Sequence, residues 1–173
     1  MDNQGKMIAP GTIRFERTLR GPIERVWAYL TESEKRGKWL AKGEMELIEG
    51  GKVTLYFLHK ELSPIAGPPP EKFSNMEAGH SFTGTILKIN PPHLLSFTWE
   101  GPSEVTFELK ESEDKVLLLL THQKLGSDKG TLLNVSGGWH THLDILTANL
   151  EGDIPENFWK KFAEMEELYS KII

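Results

Sequence analysis

Six histidines are the side chains of this chain best suited to moving a proton near neutral pH, and they stand at positions 59, 80, 93, 122, 140 and 142. His140 and Asp144 lie one helical turn apart on a shared face, a spacing that serves a metal ligand pair or an acid–base pair. His142, two positions on from His140, points roughly the opposite way, so 140–142 is not a chelate. With no third ligand to assign, no metal is expected. His140 is read as bonding locally and Asp144 as solvated. His59, His80, His93 and His122 fall near strand ends and take no role. The chain has no cysteine, which excludes disulfides, thiolate nucleophiles and cysteine-ligated zinc or iron–sulfur centres. G-x-S-x-G, G-x-G-x-x-G, G-x-x-x-x-G-K-[ST] and H-E-x-x-H are all absent. No catalytic residue and no cofactor is assigned.

The aromatic side chains carry more information. Tyr56 and Leu58 alternate with Leu55 and Phe57; Leu95, Phe97 and Trp99 share a strand face, as do Val105, Phe107 and Leu109. Close packing of Trp27, Tyr56, Trp99, Phe107 and Trp139 into a solid core is the default. The functional alternative is a mostly apolar pocket between sheet and helix, with Thr54, Thr83 or His140 available to orient a guest. On that reading Tyr56, Trp99, Phe107, Trp139, His140 and Leu143 are the candidate ligand-binding residues.

The elements that would position them follow from periodicity. Residues 12–20 alternate, with Ile13, Phe15, Arg17 and Leu19 on one face. Gly21-Pro22 ends this strand. Ile23, Val26, Trp27 and Leu30 then mark a short helix, and a second short helix runs from about Glu32 to Trp39. Six strands are predicted near 43–49, 52–60, 80–90, 93–100, 103–110 and 115–125, with reversals at Gly50-Gly51, Pro91-Pro92, Gly101-Pro102 and Glu113-Asp114. The stretch Glu61–Gly79 holds Pro64, Pro68, Pro69 and Pro70 and cannot pair in a sheet, so it is a long loop, disordered or a lid. Leu132, Val135, Trp139, Leu143, Leu146 and Leu150 give one long helix an apolar stripe. After it, Asp153 and Glu156 have capping-box spacing, and Phe158, Phe162, Met165, Tyr169 and Ile172 form a second stripe. That stripe must be buried, against the same chain or against a protein partner or second copy in a homodimer.

Composition sets the outer limits. The chain has 173 residues, 38% of them hydrophobic and 26% charged, enough for one domain with a real core. The net charge of −5 and the lack of a basic run interleaved with aromatics leave no footprint for nucleic acid. The longest aliphatic run, Val116 to Leu120, is far short of the ~20 residues of a membrane span, and the start lacks an apolar signal region. A cytoplasmic protein without a membrane span is expected. The organisation read from the chain is a flexible tail over 1–10, a main domain over 11–152 and an additional amphipathic helix over 153–173.

The ordered set Val26-Trp27-Ala28-Tyr29-Leu30, Trp39-Leu40, Glu49-Gly50-Gly51, Gly84-Thr85-Ile86-Leu87, Leu95-Ser96-Phe97-Thr98-Trp99, Val105-Thr106-Phe107-Glu108-Leu109 and Gly138-Trp139 with Leu143-Asp144 resembles the START-like (SRPBCC) superfamily. The branch it is most similar to is the one named for the activator of the heat-shock protein 90 ATPase. The resemblance implies an α+β helix-grip fold: a curved antiparallel sheet of about seven strands wrapped around a long C-terminal helix, with two short helices after the first strand. It also implies a hydrophobic cavity suited to lipid-like or polyketide-like molecules, in a superfamily that mixes binding proteins with cyclases and hydrolases. The co-chaperone that names the branch has a further N-terminal domain for which this chain has no room. The leading expectation is therefore a non-catalytic binder of an apolar small molecule. The alternatives are an enzyme using acid–base chemistry in the same cavity, and a chaperone-associated interaction module linked to stress response.

Overall fold

A computed structural model describes residues 3–65 and 67–173. Seven strands form one antiparallel sheet: β1 (Lys6–Ala9), β2 (Thr12–Arg20), β3 (Lys52–Phe57), β4 (His80–Asn90), β5 (Leu94–Thr98), β6 (Glu104–Ser112) and β7 (Lys115–Gln123). Their order across the sheet is β1-β2-β7-β6-β5-β4-β3. Two short helices, α1 (Ile23–Thr31) and α2 (Ser33–Arg36), follow β2, and two long ones, α3 (Lys129–Glu151) and α4 (Phe158–Ser170), close the chain. The sheet curves around α3, as the helix-grip plan requires.

Alternation along the strands sets which side chains reach α3. On β2 the inward residues are Ile13, Phe15, Arg17 and Leu19; on β6 they are Val105, Phe107 and Leu109; on β7 they are Val116, Leu118 and Leu120. These meet Trp139, Leu143, Leu146 and Leu150 of α3 in one continuous core. Both ends of α3 are capped as its sequence dictates. The Asp128 carboxylate accepts from the Thr131 backbone N–H at 2.9 Å, and Gly152 ends the helix in the left-handed region at φ 78°.

Three elements differ from expectation. The tail expected over residues 1–10 contains β1, an edge strand paired with β2. A four-residue strand has too little pattern to be read as one, and pairing with β2 is what orders it. The strand expected at 43–49 is reduced to two isolated bridges, Lys42 to Tyr56 and Met45 to Val53. Gly43 has φ 132°, and a Cβ there would overlap the Thr54 carbonyl, so the chain passes β3 too closely for a regular ladder. The Arg36 guanidinium holds this segment by donating to the carbonyls of Leu30, Thr31, Ala41 and Gly43. The last helix starts later than the Asp153–Glu156 spacing indicated. Its cap is Asn157, whose side chain accepts from Lys160 N–H at 3.0 Å and donates to the Ile65 carbonyl at 3.0 Å.

The apolar stripe of α4 turns into the chain. Phe158, Phe162 and Tyr169 are buried with Trp159, Met165 is half-buried and Ile172 is exposed. The proline-rich loop packs on the same helix through short 3₁₀ turns at His59–Glu61 and Glu71–Met76. Phe73 stacks on Trp159 at 5.3 Å, Lys72 pairs with Glu166 at 2.6 Å, and Ser63 donates to the Pro155 carbonyl at 2.6 Å. Among the described residues no helix is long and apolar enough to cross a membrane.

Candidate functional site

The loop, α4, α3 and the ends of β5 and β7 leave a cavity of about 210 Å³ between them. Trp99, one residue beyond β5, and Trp139 of α3 meet there at 5.1 Å between rings. α4 adds Phe158, Trp159 and Phe162, and the loop adds His59, Phe73 and Met76. The exposed lining residues, Glu100 and Asn134, place its mouth between the β5–β6 turn and the first half of α3. Gly138 also lines it, and a Cβ built on that glycine meets nothing within 4 Å.

Three buried histidines surround this space. His122, the penultimate residue of β7, accepts from Trp139 Nε1–H on Nδ1 at 2.9 Å. Its proton must then sit on Nε2, which is 2.9 Å from Ser103 Oγ, and Ser103 donates onward to the Glu100 carbonyl at 2.8 Å. This chain is complete and fixes one neutral tautomer. His142 lies 2.7 Å from the Trp39 carbonyl through Nδ1. A carbonyl only accepts, so Nδ1 carries the proton and Nε2 keeps a bare lone pair. His59 packs against Phe158 at 4.4 Å, Trp159 at 4.9 Å and His142 at 5.7 Å, and its buried Nδ1 has no hydrogen-bond partner. Burial pushes all three well below the ordinary histidine value. His59 falls to about 3, further lowered by His142 and His80; His122 falls to about 3; His142 falls to about 4, with the Trp39 carbonyl opposing the shift. At neutral pH the cavity holds neutral imidazoles.

Of the six residues singled out from the sequence, Trp99 and Trp139 line the cavity. Phe107 and Leu143 stand behind that wall in the solid core, Phe107 touching Trp139 at 6.0 Å. Tyr56 is 41% exposed, with its hydroxyl bonded to the Ala78 carbonyl at 3.2 Å. The inward set of β3 is Val53, Leu55 and Phe57, so Tyr56 and Thr54 share the outer face. His140 faces the other way, toward Phe15 and the Tyr169 hydroxyl at 2.8 Å. Asp144 beside it lies 3.4 Å from the buried Arg17 and 3.6 Å from Lys161. The two together tie α3 to β2 and α4, away from the cavity.

The histidines that line the cavity are His59, His122 and His142, and spacing in the sequence marks two of them. His142 falls three residues after Trp139 and four before Leu146, on the same stripe, and His122 continues the inward alternation of Leu118 and Leu120. The contributions of Phe73 and Met76 had no signal in the sequence, because only folding brings the loop onto α4. Among the described residues no group of three or more His, Asp or Glu side chains could hold a metal.

Comparison with known proteins fits this architecture. The family described as Activator of Hsp90 ATPase homolog 1-like protein matches residues 20–151. No curated protein matches the chain. Among solved structures, the protein encoded by gene BPP1335 of Bordetella parapertussis is 40% identical, with a TM-score of 0.82 over 99% of this chain and 91% of its own. That overlap takes in α4, which lies beyond the family match. CalU16 of Micromonospora echinospora is 25% identical, with a TM-score of 0.66 over 93% of this chain and 87% of its own. The AHSA1-like protein from Aeromonas hydrophila, 20% identical with a TM-score of 0.62 over 82% of this chain and 92% of its own, shares the fold. With sequence and fold in agreement over the whole of the sheet-and-helix unit, this chain belongs to the AHSA1-like family of the START-like superfamily.

Proposed function

We propose that this protein binds an apolar small molecule in the cavity between α3, α4 and the sheet, without transforming it. One observation carries the reading. Beside the packed core a space opens against a wall of indole and phenyl rings, with Gly138 leaving room where any other residue would project. A binder needs only these apolar surfaces. The pair first considered for acid–base chemistry, His140 and Asp144, is engaged in holding α3 to its neighbours.

The test is direct binding of a fluorescent apolar probe of two rings, naphthalene, to the full chain, with native mass spectrometry of freshly purified protein to detect a retained ligand. Saturable binding in the micromolar range is expected, weakened about tenfold or more by Gly138→Leu, a loss of roughly 1.4 kcal/mol. Circular dichroism of the variant checks that the fold is kept. Saturable binding that Gly138→Leu leaves untouched would put the site elsewhere, and absence of binding would remove the reading.

A further inference from the structure

We propose that the guest of this cavity is a neutral hydroxylated aromatic molecule of one or two rings, its hydroxyl held between His142 Nε2 and the ring of His59. This rests on the cavity being a binding site and adds what it selects. The argument begins with groups the fold does not use. His142 and His59 are 94% and 93% buried, yet His142 uses only one of its ring nitrogens on protein and His59 uses neither. His142 spends its only proton on Trp39, which leaves Nε2 as an acceptor on the cavity side. His59 also lines the cavity; its Nδ1 is sealed in protein without a partner, which leaves Nε2 as its nitrogen for a guest. Buried polar groups are ordinarily paired; here His59 Nδ1 is not, and beside it the two Nε2 atoms make no hydrogen bond to protein and are left for a ligand.

The chemistry needed there is specific. His142 Nε2 calls for a proton donor, while the neighbouring imidazole can donate or accept according to its tautomer. A single hydroxyl meets both demands, donating to His142 and accepting from His59. The two rings are neighbours, their centres 5.7 Å apart, so one hydroxyl oxygen can be shared between a nitrogen of each at ordinary hydrogen-bond distances of about 2.8 Å. A carboxylate fails both ways, because it offers no proton to His142 and finds no lysine or arginine among the lining residues. The remaining wall is flat and aromatic, with Trp99, Trp139 and Trp159 presenting ring surfaces. Size sets the number of rings. A cavity of about 210 Å³ exceeds the ~150 Å³ that accepts benzene and falls below the ~300 Å³ where drug-sized pockets begin.

Isothermal titration of the full chain at pH 7 with 2-naphthol, naphthalene and 2-naphthoate distinguishes the cases. A purely apolar cavity ranks naphthalene first, since burying an unpaired hydroxyl is costly. The proposal expects 2-naphthol to bind about tenfold or more tightly than naphthalene, and 2-naphthoate to bind worst. His59→Phe is the primary variant because it strands no protein partner; His142→Phe is the second. In both, the preference for 2-naphthol should fall to near one or reverse, and circular dichroism confirms the fold. If naphthol and naphthalene bind the wild type alike, or the preference survives both variants, the histidines do not read the hydroxyl, while the apolar cavity stands. Tight binding of 2-naphthoate also overturns the selection of a neutral donor. If none of the three binds, the cavity reading itself falls and takes this one with it.

Discussion

An imidazole enclosed by Phe158, Trp159 and His142, with a ring nitrogen that bonds to nothing, weakens the free protein. Leaving a buried polar atom unpaired costs about 1–3 kcal/mol, whereas an apolar ring of similar shape has no such penalty. His59→Phe is therefore expected to raise the unfolding free energy by about 1 kcal/mol at pH 7, measured by urea denaturation. A loss of stability would mean that His59 has a structural partner in solution. A gain in stability joined to a lost ligand preference is the pattern of a functional residue held at the fold's expense. At this scale the sequence was only partly readable. The indoles of Trp99 and Trp139 announce themselves by strand and helix spacing, and both line the cavity. The alternation in β3 allows either Tyr56 or the Val53, Leu55 and Phe57 set to point in, a slip of one residue exchanges the faces, and it is the latter set that is buried. Of the two histidines at 140 and 142, His142 alone shares the stripe of Trp139 and Leu146, and that spacing is what brings it to the cavity.

Elements with strong periodicity were legible, and those held by tertiary contacts were not. Strand β7, with its long aliphatic run, and α3, with its repeated leucines and its Gly152 stop, follow from local pattern. Segment 42–46 is held instead from both edges, with Lys42, Glu44 and Glu46 bonded to β3 and the Arg36 guanidinium taking the Ala41 and Gly43 carbonyls that face away from it. α4 was legible as an amphipathic helix, while its destination came from Gly137, where the helices approach until a Cβ would stand 3.4 Å from the Glu166 backbone nitrogen. Burying Phe158, Trp159, Phe162 and Tyr169 contributes about 1.5–3 kcal/mol each before ordering entropy. Ending the chain at Gly152 removes them and uncovers one wall of the cavity. The expected outcome is a protein that melts at least ~10 °C lower, since each kcal/mol is worth about 2–4 °C in a chain of this size. It should also lose binding of the fluorescent probe. An unchanged melting temperature in differential scanning calorimetry would show that α4 adds nothing to the core.

Across the whole molecule, the helix-grip plan was legible because seven strands and one long helix leave few ways to bury their apolar faces, and the family resemblance agreed with it. What no local pattern conveys is that one cavity gathers neutral histidines from three separate elements: His59 from the loop, His122 from β7 and His142 from α3. Their burial makes the stability of the protein depend on pH in a direction that can be worked out. Each has an ordinary value of 6.5 when exposed and about 3 to 4 in the fold, so below pH 6.5 the unfolded chain takes up protons that the folded chain refuses. Stability therefore rises with pH in this window. It is fully present above pH 6.5 and is lost as pH falls toward 4. At pH 5 the loss is up to about 2 kcal/mol per histidine, because each pH unit below the unfolded value is worth about 1.4. Ordinary carboxylates, which titrate near 4, contribute little above pH 5, so the interval from 7 to 5 isolates the histidines. Urea unfolding across that interval should show a steep decline at low pH, and His59→Phe should shallow the slope by about one proton. A flat profile from pH 7 to 5 would mean that these rings take up protons in the folded state, and the cluster of neutral histidines would have to be abandoned.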